Sequence, residues 1–260
     1  MNIGTPPPLR LEVNTLDASS QVPPPPQRPT PLRALGWLGL FALLTIVAQF
    51  GYMYGLDRFY ALDSLPTEQK AERMKELVTS SFGLGTFYLL QVAVLLPPLL
   101  YAANFPEQRW TRTLALNPVP WATLGKWLLL GLVTMTVVSL VLSQFEVDEE
   151  PFMQQFLKDP HWLMLLAASV LAPVLEELLF RGYLFRAWRH SRLGLSGTLL
   201  LTSTLFAWMH ALQYSWYGVA QIFCLALLLG LARERTGSVL TPIAIHATQN
   251  TLASLFMLLQ

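Results

Sequence analysis

Apolar runs of membrane-spanning length recur along this 260-residue chain from residue 34 to the C-terminus. About 20 helical residues are needed to cross roughly 30 Å of hydrocarbon. Only 13% of the residues are charged, against about 25% in an ordinary soluble protein. The pattern predicts an all-α fold, a polytopic transmembrane helix bundle of about seven or eight spans. A soluble helical core is the alternative, and the number of long runs weighs against it.

The spans fall at residues 34–55, 82–103, 122–143, from 161 onward through 189, 197–212, 216–232 and 238–259. The 213–215 link is short and leaves room for a re-entrant segment. Three regions follow. Residues 1–33 form a Pro-rich tail with PPP and PPPP tracts and no apolar signal-peptide core, read as disordered. Residues 34–160 hold the N-terminal membrane helices, and residues 161–260 hold the polar motifs. The mixed-charge stretch 56–80 reads as an amphipathic helix or surface loop. An acidic loop, FEVDEEP, and then Lys158 follow the third span. On this threading Arg109, Arg112, Arg186, Arg189, Arg233 and Arg235 share the side of the N-terminus. The opposite side carries fewer cations, chiefly Arg58, Lys70, Arg73 and Lys75. The bias places the N-terminus in the cytoplasm. For a bacterial chain the location is then the inner (plasma) membrane, with the lipid bilayer as its surroundings. A net charge of +1 gives no ground for a nucleic-acid partner. The single cysteine, Cys224, cannot form an internal disulfide and reads as a packing residue.

Three polar groups interrupt the apolar runs. The first is EELLFR, with Glu176, Glu177 and Arg181. One charge at the centre of a membrane helix costs about 2.5–3.5 kcal/mol on insertion scales, so such groups face a protein interior or a watery cavity. Glu177 and Arg181 are four residues apart and can pair. Glu176 points about 100° away on a helix and is the freer acid. Pro173, one turn earlier, can open the backbone. The second group is FAWMH, where Phe206 lies one turn before His210. The third is HATQN, where His246 and Asn250 share a face and Pro242 precedes them by one turn. Taken singly, each has an ordinary structural explanation: a packed histidine, a helix-surface ion pair, an interhelical amide. Together they hold the parts for hydrolysis. A carboxylate in a low-dielectric site takes a proton from water, a histidine helps, and further donors stabilise an oxyanion. No GxSxG occurs and Cys224 has no partner pattern, so a nucleophilic route has little support. Glu176, His210 and His246 would also suit zinc, although no HExxH is present. No metal or other cofactor is favoured. A transporter lacks the expected repeats.

These motifs, in this order, resemble the CAAX-protease and bacteriocin-processing (CPBP, or Abi) family of intramembrane proteases. Gly182 and the stretch LARERTGSVLTPIAIH also look like that family, and the similarity covers residues 162–251. The resemblance implies a glutamate-dependent membrane endopeptidase acting on a membrane protein or lipid-modified peptide. It implies Glu176 as base on water, His210 as its partner, and His246 and Asn250 as oxyanion stabilisers. Glu177, Arg181 and Phe206 would support them. Older descriptions of the family place a metal on the same residues. Eukaryotic relatives cleave prenylated C-terminal tripeptides, and some relatives act as immunity factors or scaffolds. A non-catalytic membrane scaffold is therefore the alternative. For Glu176 and His210 to meet, the fourth helix must be long, with Glu176 near mid-membrane. The site would then lie among spans four, five and seven.

Overall fold

The computed structural model describes residues 28–145 and 159–259. Most of the Pro-rich tail and the acidic loop with Lys158 lie outside the described residues. Among the described residues the fold is all-α. Helix α1 (Pro31–Phe59) starts on Thr30, whose hydroxyl accepts the Arg33 N–H, with Pro31 at the first helical position. That arrangement satisfies one orphan donor and removes another. The mixed-charge stretch, expected as an amphipathic helix or a surface loop, holds helix α2 (Thr67–Thr79), which buries no residue. Its Lys70 is paired with Asp57 and Asp63. Helix α3 (Ser81–Ala103) is capped by Ser80 and keeps Pro97 and Pro98 within its last turns. A short α4 (Trp110–Thr113) leads to α5 (Trp121–Leu142).

The C-terminal half is α6 (Trp162–Arg189), α7 (Gly194–Trp208), α8 (Trp216–Thr236) and α9 (Leu240–Leu258). Gly237, in the left-handed region at φ 65°, ends α8 by returning its N–H to Arg233 O. The next residues are zipped onto residues 115–117. Asn117 Nδ2 donates to Gly237 O, Ser238 Oγ to Asn117 O, and the Val239 N–H to Ala115 O. This clamp fixes where α9, and so His246, begins.

Five helices, α1, α3, α5, α6 and α8, are long and apolar enough to cross a membrane, and the chain is an integral membrane protein. The other two expected spans are helices of a different kind. Helix α7 has 15 residues, about 22 Å at 1.5 Å per residue, and stops at Trp208 rather than running to 212. Helix α9 has the length, at 19 residues, but its apolar content is diluted by His246, Gln249 and Asn250. The core joins Leu178, Tyr183, Leu184 and Trp188 of α6 to Phe206 of α7 and Ala226 of α8, with Phe41 and Leu99 from α1 and α3. Helix α3 lies against α6 with almost no spacing. A Cβ on Gly85 would sit 2.9 Å from both Leu163 Cγ and Met164 N, so only glycine permits this approach.

Candidate active site

Glu176 lies at the midpoint of α6, in an α-helical turn (Ala172–Glu177) between two wider π turns, Ala167–Leu171 and Leu178–Leu184. A π turn carries an extra residue and is common at functional sites. The first has a visible cause. Pro173 has no N–H and its ring crowds the preceding turn, and the backbone widens ahead of it.

Glu177 and Arg181 are fully buried and paired, Arg181 Nη1 donating to Glu177 Oε1 at 2.9 Å. The guanidinium also donates to Ala226 O at 3.0 Å and lies over the Phe206 ring, 4.5 Å from its centre. Arg233 Nε in turn donates to Arg181 O. The pairing predicted from spacing is present, but Glu177 is not confined to it. His246 Nδ1 lies 3.0 Å from the same Glu177 Oε1, while its Nε2 lies 3.9 Å from Glu176 Oε2. One imidazole therefore spans both acids. Helix spacing alone separated them because it says nothing of a third group bridging the angle between them.

The partners fix one donor on each ring. The Glu177 oxygen accepts, so His246 donates from Nδ1 and turns its Nε2 toward Glu176. His210 sits in the turn after α7, and its Nδ1 meets Phe206 O at 2.8 Å. A carbonyl only accepts, so Nδ1 is the donor there too. Phe206 underlies both rings, at 5.0 Å from His210 and 5.7 Å from His246. Asn250 Nδ2 donates to Ala168 O at 2.8 Å.

Glu176, Phe206, His210, His246 and Asn250 line one cavity of about 310 Å³. Its walls come from α3, α5, α6, α7, α8 and α9 and from the turn after α7, more helices than the three expected. Glu177 and Arg181 stand behind the wall. Tyr88 of α3 also lines the cavity, packed on Met164. Sequence reasoning missed it, and the only signal was Gly85 one turn earlier, which lets α3 close on α6. Among the described residues no three His, Cys, Asp or Glu side chains are grouped to hold a metal ion. The His210 and His246 imidazoles and the Glu176 carboxylate are of the types that bind zinc, but as arranged they do not close a cage.

The fold and site define a class: a polytopic membrane protein with ionisable groups gathered in a cavity inside its bundle. Residues 158–252 match the family described as type II CAAX prenyl endopeptidase Rce1-like. The chain is 31% identical over 183 residues to an uncharacterized 24.3 kDa protein of Escherichia coli, covering 67% of this chain and 79% of that protein. It is also 31% identical over 98 residues to the UPF0177 protein YbdJ of Lactococcus lactis, covering 37% of this chain and 40% of that protein. No solved structure matches. The chain belongs to the Rce1-like CAAX-protease family, which is a family of proteases.

Proposed function

We propose that the protein is an intramembrane endopeptidase that hydrolyses a peptide bond of a membrane-associated protein or peptide with water activated by Glu176. The observation that carries this reading is the cavity shared by Glu176, His210 and His246. Glu176 Oε2 and His246 Nε2 are 3.9 Å apart, so one water can sit between them, donate a hydrogen to Glu176 and turn a lone pair outward. Attack on the carbonyl carbon forms the C–O bond as Glu176 takes the water's proton. Collapse breaks the C–N bond and Glu176 returns the proton to the leaving amine. His246 and Asn250 supply donors to the oxyanion from the cavity wall, which the Tyr88 hydroxyl also lines. His210 is the partner across the cavity.

Three cations gather at one end of the bundle, where Arg186 reaches Arg112 O and Arg189 pairs with Glu234. That favours a cytoplasmic end, the N-terminus on the same side, and a bacterial inner membrane. No step needs a metal. A zinc route through Glu176, His210 and His246 would require those side chains to draw together. Purified protein carrying Glu176→Gln or His210→Ala is expected to lose cleavage while still inserting. Full wild-type activity with no bound zinc and in the presence of chelator supports the glutamate route; loss on chelation, restored by zinc, would replace it. Cleavage retained in both substitutions sinks the enzyme reading in favour of a scaffold.

A further inference from the structure

The π turn ahead of Glu176 leaves a carbonyl that the helix itself cannot satisfy. In this turn the Ala172 N–H reaches back five residues to Ala167 O. The next donor in that register, for Ala168 O, is residue 173, which is Pro173 and has no N–H. The partner that Ala168 O does have comes from another helix: Asn250 Nδ2, 2.8 Å away. Asn250 stands one turn after His246 on α9, and both line the cavity with Glu176 and Ala168.

The geometry points to Asn250 as a positioning residue, its amide replacing the backbone donor that Pro173 lacks and so holding the π turn that aims Glu176. The inference rests on the endopeptidase reading for its catalytic consequence, but not for its structural one. A part-buried carbonyl inside an apolar helix is costly to leave without a partner, so the turn would rewind or shift once the amide is lost. Glu176, two turns on, would move with it. A misplacement of about 1 Å at the reacting atoms can cost on the order of 10²-fold in rate. Two features of the sequence thus form one unit. Pro173 opens the helix, and Asn250, 77 positions later, closes the opening from outside.

The test uses Asn250→Ala and the isosteric Asn250→Asp, which keeps the shape but, when ionised, cannot donate. Each is made alone and with Pro173→Ala, which restores a backbone N–H. Thermal midpoints of the full-length protein in detergent are read first. Both single variants at position 250 should melt lower than wild type, and Pro173→Ala should recover most of the loss. Activity is then read on a fluorogenic peptide spanning the most abundant Glu176-dependent junction found by terminal profiling of cell membranes. Expected is a kcat loss of at least about 10²-fold in Asn250→Asp, with KM within about threefold, and partial recovery in Pro173→Ala/Asn250→Asp, because removing the proline restores the turn but not the Asn250 N–H on the cavity wall. Unchanged melting, or no recovery with proline removed, overturns the inference. If Asn250→Asp is fully active while Glu176→Gln is dead, only this inference fails. If Glu176→Gln also cleaves, the endopeptidase reading fails with it, while the melting data still decide the role of Asn250.

Discussion

The two halves of the bundle differ in what their apolar residues face. Of the apolar windows of α6 and α8, 44% is buried within the protein, against 17% in α1 and 6% in α5. Helix α5 presents Leu129, Val133, Val137, Leu140 and Val141 outward, as a lipid-facing helix does. Helix α6 instead buries Glu177, Arg181, Tyr183 and Trp188. The outer helices need only be apolar, whereas the inner ones must fit. The family match falls on residues 158–252, and every polar group of the site sits in, or directly against, the inner half. Tyr88 is the exception, and it reaches the site only because Gly85 brings α3 against α6.

The difference can be broken most forcefully at Arg181. Replacing it with leucine leaves the buried Glu177 carboxylate without its guanidinium and should cost about 3–5 kcal/mol, read as a large fall in the unfolding midpoint. Gly85→Ala comes next. Its new Cβ meets backbone at 2.9 Å, and overpacking of this kind costs about 1–3 kcal/mol, so the melt should fall and Tyr88 should shift from the cavity wall. A change on the lipid face should do far less: Leu140→Val on α5 should stay within about 0.5 kcal/mol of wild type. A fall comparable with that of Gly85→Ala would mean that α5 packs on protein.

The smallest effect concerns the loop outside the membrane. Lys70 beside it holds the Asp63 carboxyl below its usual range. A depressed carboxyl contributes stability above its unfolded value, about 3.9, and loses it as pH falls through the folded value. Asp63 is exposed and Lys70 only partly covered, so Asp63→Asn should track wild type with a small constant offset from pH 8 to 5. The two should converge only below about pH 4, and an offset that changes near neutrality would contradict this assignment.

Much of this was legible in the sequence. The all-α membrane fold follows from run lengths, and five of the expected spans are present as apolar helices. The Glu177–Arg181 pair follows from i, i+4 spacing, and the grouping of Glu176, His210, His246 and Asn250 from their being polar where polarity is costly. What spacing could not supply was anything set by contact between helices. His246 bridges both glutamates because α9 is clamped through Gly237–Val239 to residues 115–117. His210 shares a cavity with mid-helix Glu176 because α7 stops short, which removes the conflict of depth that simple threading raises. The π turns were hidden because helix periodicity assumes 3.6 residues per turn, yet Pro173 marked the first of them.

The most direct test of the account is to compare newly formed protein termini in membranes of cells expressing the wild type and Glu176→Gln at equal levels. The account predicts a set of cleaved junctions in membrane-associated proteins that is present with wild type and absent with Glu176→Gln. Identical termini in the two would contradict it.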